Sequence, residues 1–234
     1  MKKILFFTLI VALSVACNSE ISLSGRDAAS EFLEDKFTGI GVQDGFELHL
    51  SSGDEAKVKI EADEKIIPHV KYEITGGILY FYRDVEADFP SNALVKIYVT
   101  RDSVSVLKAS NSKVFIADTL KVESLELNFS NSSVLEGAVE CRQLQAAINA
   151  STLKLSGTAA NALLNVADGS LVETGLKTVD TKLNLAGGSA VYLYVSGELD
   201  IYARDKSRLY YSLVGVFRSV TLDDESEILY YDNQ

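Results

Sequence analysis

The chain has 234 residues, with 22 Lys and Arg against 33 Asp and Glu for a formal charge of −11. Apolar residues make up 47% of it, enough to form a core, which excludes intrinsic disorder, and the acidic balance excludes a nucleic-acid partner. Two His and two Cys are too few for a zinc or haem protein, and nothing in the composition asks for a cofactor or metal.

Met1 is the sole methionine, so the chain reads as a whole precursor. Residues 1–16 read as a lipoprotein signal peptide. Lys2 and Lys3 form a positive start, Ile4 to Ala16 is apolar, and Cys17 follows the small Ala16. Thirteen apolar residues are too short for a membrane helix, which needs about 20. Cleavage before Cys17 would leave it for acylation, so the expected membrane contact is a lipid anchor and not a span. Ser14 stands where lipoboxes usually carry Leu, and ordinary secretory cleavage is the alternative. Removing two Lys and no acids takes the balance to 20 basic against 33 acidic residues, or −13. Cys141 would then be the remaining thiol, expected to be a half-buried small residue and not a nucleophile.

Residues 17–36 are polar and are expected to form a tether, with one helical turn around 28–33. Residues 37–234 are expected to be a single β domain, in which 37–100 is a hairpin or capping part. FELHL (46–50) and KVKIEA (57–62) alternate apolar and polar with a Gly-containing turn between them, which predicts an antiparallel hairpin. YEITGGILYFY (72–82) predicts another around Gly76-Gly77, with 63–70 as a short irregular or helical connection.

Residues 101–234 are repetitive. Small polar clusters recur at SNSKV (110–114), SNSSV (130–134), NASTL (149–153), ADGSL (167–171), AGGSA (186–190), RDKSR (204–208) and DDESE (223–227). Their fourth residues are spaced by 20, 19, 18, 19, 18 and 19. Four places before them stand Ala109, Phe129, Ile148, Val166, Leu185, Ala203 and Leu222, and six places before stand Leu107, Leu127, Ala146, Leu164, Leu183, Ile201 and Val220. The residues between these two apolar columns are mostly polar. This inward–outward–inward pattern in units of about 19 residues predicts stacked coils of a parallel β-helix, seven coils rising about 29 Å at ~4.8 Å each.

The opening FTGIGV, the GDEAKVKIEAD segment and the serial small-residue turns make residues 37–214 resemble the head GIN domain family of autotransporter adhesins. That resemblance implies an all-β, right-handed parallel β-helix in an exported protein, and no catalytic set.

Other constellations are weaker. Asp84, Glu86 and Asp88 alternate like a calcium loop, but Phe89 and Val95 occupy the places where an EF-hand needs Gly and Glu. Asp223, Asp224, Glu225 and Glu227, one coil after Arg204, Lys206 and Arg208, could serve a polysaccharide lyase; the plainer reading is a charged solenoid end that resists edge pairing. His49 and His69 have no triad or ligand spacing, and a solvent-facing strand position is expected for His49. The sequons at Asn128, Asn131 and Asn149 read as turn and ladder residues. GIGVQDG (39–45) matches no phosphate-loop pattern.

Tyrosine is uneven: Tyr192, Tyr194, Tyr202, Tyr210, Tyr211, Tyr230 and Tyr231 place seven of eleven in the last 43 residues. They are the candidate binding surface, stacking from coil to coil into a strip suited to sugar faces or a protein. The expected function is a non-catalytic adhesin or binding module, lipid-anchored in the outer membrane of a Gram-negative bacterium and facing the cell surface or periplasm. A β-helix enzyme, or an envelope component that pairs with its own copies, is the alternative.

Overall fold

The computed structural model describes residues 20–34 and 36–232. The signal peptide and Cys17 lie outside the described residues. Strands in chain order are β1 (Asp27–Leu33), β2 (Gly39–Val42), β3 (Glu47–Ser51) and β4 (Lys57–Asp63), then a 3₁₀ turn (Ile67–His69), β5 (Val70–Thr75), β6 (Ile78–Arg83) and β7 (Lys96–Thr100). The repeats follow as β8 (Val106–Ser110), β9 (Lys113–Ile116), β10 (Leu120–Ser130), β11 (Val134–Asn149), β12 (Thr152–Ala167), β13 (Leu171–Leu185), β14 (Ala190–Ala203), β15 (Arg208–Leu222) and β16 (Glu227–Tyr230).

From β8 onward every pairing is parallel, and the result is a β-solenoid of about seven turns. Both apolar columns stack residue for residue as the sequence predicts. Ala109, Phe129, Ile148, Val166, Leu185, Ala203 and Leu222 pair in one ladder, and Leu107, Leu127, Ala146, Leu164, Leu183, Ile201 and Val220 in the other. The columns continue upstream: Ile40 and Leu79 extend one, Val42 and Phe81 the other, all buried. Stacking identical positions ~4.8 Å apart lets each apolar side chain cover the next, so a narrow core runs the length of the rod.

The turns hold a second ladder. Ser112, Ser133, Ser151, Ser170, Ser189 and Ser207 are all buried. The Ser133 hydroxyl accepts from the Ser112 amide, and the same contact recurs from Ser133 to Ser151, Ser151 to Ser170 and Ser170 to Ser189, at 3.1–3.2 Å. Counting from the inward columns, Ser112 and Ser151 arrive one residue earlier than the fixed-spacing alignment places them, at Lys113 and Thr152. Those two turns are shorter: Asn111 and Ala150 each carry a single positive φ, against two successive residues such as Asn131-Ser132 or Asp205-Lys206 in longer turns.

The N-terminal part departs from expectation in two places. Residues 27–33 are a strand where a tether with a helical turn is expected; β1 pairs antiparallel with β4 from Asp27–Asp63 to Leu33–Lys57. Burial of Phe32 and the grip of Asp63 on the Ser24 and Gly25 amides, at 2.9 and 2.8 Å, hold it there. FELHL and KVKIEA also do not pair with each other. β3 lies parallel between β7 and β9, and β4 pairs antiparallel with β7. Alternation fixes which face of a strand is buried but does not choose its neighbour. The β5–β6 hairpin and the short helical connection form as expected. The chain therefore enters the solenoid at β2/β3, leaves it, returns as β6/β7 on the outer side of β2/β3, and proceeds on the inner side from β8.

Candidate binding face

Outward residues stack in register as well. One column runs Lys59, Tyr98, His49, Phe115, Glu136, Lys154 and Glu173. Beyond a register shift it continues with Tyr192, Tyr210 and Leu229. The ring centroids of Tyr98 and His49 are 4.9 Å apart, those of His49 and Phe115 5.0 Å, and those of Tyr192 and Tyr210 4.6 Å, planes nearly parallel in each pair. The coil rise matches the offset-stacking distance of aromatic rings, so identical positions in successive coils stack without adjustment. Between the two aromatic stacks the column is charged, with Lys154 Nζ 3.3 Å from Glu136 Oε1.

His49 thus takes the outward strand position expected of it, but is wedged between rings and only partly exposed. Its Nε2 is buried without a hydrogen bond, 3.9 Å from Glu47 Oε2. Burial pushes its pKa below the ordinary imidazole value, with the Glu47 carboxylate pulling the other way.

A trough of 550 Å³ opens where the charged part of the column meets the second aromatic stack. Its floor is Gly137, Ser156, Gly175 and the edge of Leu155, and its rim is Lys154, Glu173, Tyr192 and Tyr231. Tyr231 meets Tyr192 edge-on at 5.3 Å. Gly137 is there because a Cβ would lie 2.5 Å from the Ile116 Cβ of the preceding coil. The small residues make the floor low enough that the tyrosines stand as a wall. An aromatic wall, a flat floor and a rim bearing both signs of charge can take a polyhydroxylated ring: apolar face on the tyrosine, hydroxyls toward Lys154 and Glu173.

A sequence model of the family described as "Putative auto-transporter adhesin, head GIN domain" matches residues 36–213. The chain belongs to the head GIN domain family. Among solved structures, this head GIN domain is similar to a "putative adhesin" from Bacteroides fragilis at 15% identity and a TM-score of 0.76, covering 90% of this chain and 98% of that one. A "putative lipid binding protein" from Parabacteroides distasonis is 16% identical with a TM-score of 0.70, covering 92% and 100%. A "putative adhesin" from Parabacteroides merdae is 16% identical with a TM-score of 0.68, covering 91% and 99%. At such identities the likeness is one of fold. No curated protein matches the sequence.

The head GIN rod spreads the seven tyrosines over several faces. Tyr192 and Tyr231 line the trough, and Tyr210 stacks on Tyr192. Tyr211 stacks below buried Leu193 in an inward column and meets Tyr230 and Phe217 edge-on at 5.7 and 5.4 Å, closing part of the core's end. Tyr194 lies apart, its ring 5.7 Å from Lys177 Nζ, and Tyr202 tops the outward ladder of Asn165 and Asn184. The column residues Tyr98, Glu136, Lys154 and Glu173 carry no expectation from the sequence, and His49 carries none as part of a binding face. They were within reach: Phe115, Glu136, Lys154, Glu173, Tyr192 and Tyr210 each sit two places after the strand residue that follows the turn.

Several of the remaining charges pair across coils. Lys206 Nζ is 3.6 Å from Glu225 Oε2 and Arg208 Nε 3.0 Å from Glu227 Oε2, while Arg218 bridges Glu198 and Asp200. Asp84 accepts from the Glu86 amide and pairs with Lys71 at 3.3 Å, so it organises a turn. Cys141 is half-buried and its thiol is pushed up to about 11 by burial, which keeps it protonated.

Proposed function

We propose that this head GIN protein is exported, acylated at Cys17, and displayed in the outer membrane of a Gram-negative bacterium as a non-catalytic adhesin that binds glycan at the Tyr192–Tyr231 trough, its wall backed by Tyr210. One observation carries the reading: the Tyr192–Tyr210 stack stands beside a small-residue floor whose rim carries Lys154 and Glu173. Each base expected of a lyase is already held by an exposed carboxylate, Lys206 by Glu225, Arg208 by Glu227 and Arg204 by Asp205, which supports binding without turnover.

A glycan array probed with the chain from residue 20 onward, so that β1 is kept, tests it. Binding to at least one glycan class, lost in the Tyr192→Ser/Tyr210→Ser/Tyr231→Ser variant with an unchanged circular dichroism spectrum, is the expected outcome. Glycan binding that survives the triple change, or binding to protein ligands alone, refutes the glycan assignment. Unsaturated products from an acidic polysaccharide would refute the non-catalytic one. Mass spectrometry of the exported amino terminus is expected to find acylated Cys17; an unmodified terminus elsewhere refutes the anchor.

A further inference from the structure

The inward columns end in solvent. Leu199, Ile201 and Ala203 are 0, 3 and 0% exposed in β14, whereas their ladder partners Phe217, Val220 and Leu222 in β15 are 38, 46 and 40% exposed. Val216, Leu213 and Tyr230 beside them are 57, 40 and 65% exposed. These six residues present on the order of 600 Å² of surface, close to the roughly 800 Å² per partner of a standard interface. The backbone is open there too. β16 covers β15 only from Arg208 to Tyr211, and among the described residues no strand pairs with the outer edge of 212–222. An apolar core cross-section framed by an unpaired strand edge asks for another strand layer.

The opposite end of the rod is already covered. β1 on β4 and β5 on β6 turn the parallel stack antiparallel, and Phe32 on Tyr72 joins the two flaps at 4.4 Å. The terminal strands there, β1 and β5, run antiparallel to their neighbours and offer no parallel template for a further coil, and the open C-terminal coil is best matched by its own equivalent. That contact is isologous: each copy supplies the same edge and the same apolar face, and it closes at two.

We propose that two copies of this chain associate end to end through β15, burying Phe217, Val220 and Leu222 of each across a two-fold axis. This goes beyond the glycan reading and stands or falls apart from it.

Sedimentation velocity of the Cys17→Ser chain, which removes lipid-driven clustering, at about 0.15 M salt, where charge repulsion is screened beyond ~8 Å, measures the association. The expected result is a monomer–dimer equilibrium, weakened roughly tenfold or more by Val220→Asp/Leu222→Asp, since each copy would bury unpaired carboxylates. A chain that stays monomeric over the whole micromolar range, assembly beyond the dimer, or a dimer indifferent to the double change overturns the proposal. Should the variant fail to fold, hydrogen exchange on the Cys17→Ser chain decides. Amides of residues 213–222 are expected to slow as concentration rises, and protection independent of concentration overturns the interface.

Discussion

Phe32 and Tyr72 stack with ring centroids 4.4 Å apart and planes 15° from parallel, tying β1 to β5 across the N-terminal end of the rod. Tyr72 in turn leans on buried Phe81, so the contact reaches the core. Phe32→Ala is expected to lower stability by about 1–2 kcal/mol through the lost pair and its burial. For a domain of this size that is a fall in Tm of roughly 3–6 °C, read by calorimetry. Truncation to residue 37 removes the whole of β1, bares the edge of β4, and should produce concentration-dependent aggregation in light scattering.

The buried serine ladder sets a second expectation. Ser133 accepts from the Ser112 amide at 3.2 Å and donates to the Ser130 carbonyl at 2.6 Å. Ser133→Ala leaves the buried Ser112 N–H without its acceptor, at a cost of about 1–3 kcal/mol in urea denaturation. The same change at Ser226, which is only half-buried in the last turn, is expected to cost clearly less.

Ala150 holds a φ of 46°, exposed at the tip of one of the short turns. A Cβ in the left-handed region is strained, and nothing in the turn makes use of the methyl group. Ala150→Gly is therefore expected to stabilise the chain by roughly 0.5–1 kcal/mol, raising Tm by a few degrees. An unchanged or lower Tm would show that the turn relaxes its strain elsewhere.

His49 makes stability depend on pH. Its pKa is lowered in the folded chain from an ordinary value of 6.5, chiefly by burial between Tyr98 and Phe115. Below pH 6.5 the unfolded chain binds a proton that the folded chain resists. Stability contributed by neutral His49 is thus present above pH 6.5 and is lost as pH falls toward the folded value. His49→Phe keeps the aromatic stack and should flatten the fall in stability just below pH 6.5. Glu61, held low by Lys59 against its own desolvation, and Asp84, held low by the Glu86 amide and Lys71, lose their contribution only at more acid pH. The two effects separate in a pH series of melting temperatures.

The inward columns were legible to the residue because they repeat in a chain whose coils stack in sequence order. The serine ladder was half legible. Constant spacing found the turns, but two are a residue shorter, and a linear alignment cannot see that Ser112, not Lys113, faces inward. The β3–β4 pairing was misread because alternation is equally strong in strands joined as hairpins and in strands separated by a coil. The tyrosine surplus was visible, yet its division among faces was not: the shift between Val172 and Lys177 and the extra residue at Ser212 decide which tyrosines meet. The column through His49 stayed hidden because three of its residues, His49 itself, Lys59 and Tyr98, come from β3, β4 and β7, outside the repeat.

The threading of β6/β7 outside β2/β3 has a consequence for how the rod is made. The β2/β3 level has no neighbour on either side until residues 78–100 and 106–116 have been delivered, so about half of the chain must be available before any coil is sandwiched between two others. Loop closure over that span is slow compared with local pairing. Every later coil lays itself on a finished template one turn upstream. Assembly therefore has a late start and a fast finish, and a chaperone that protected this chain would be needed for its first half far more than for its second.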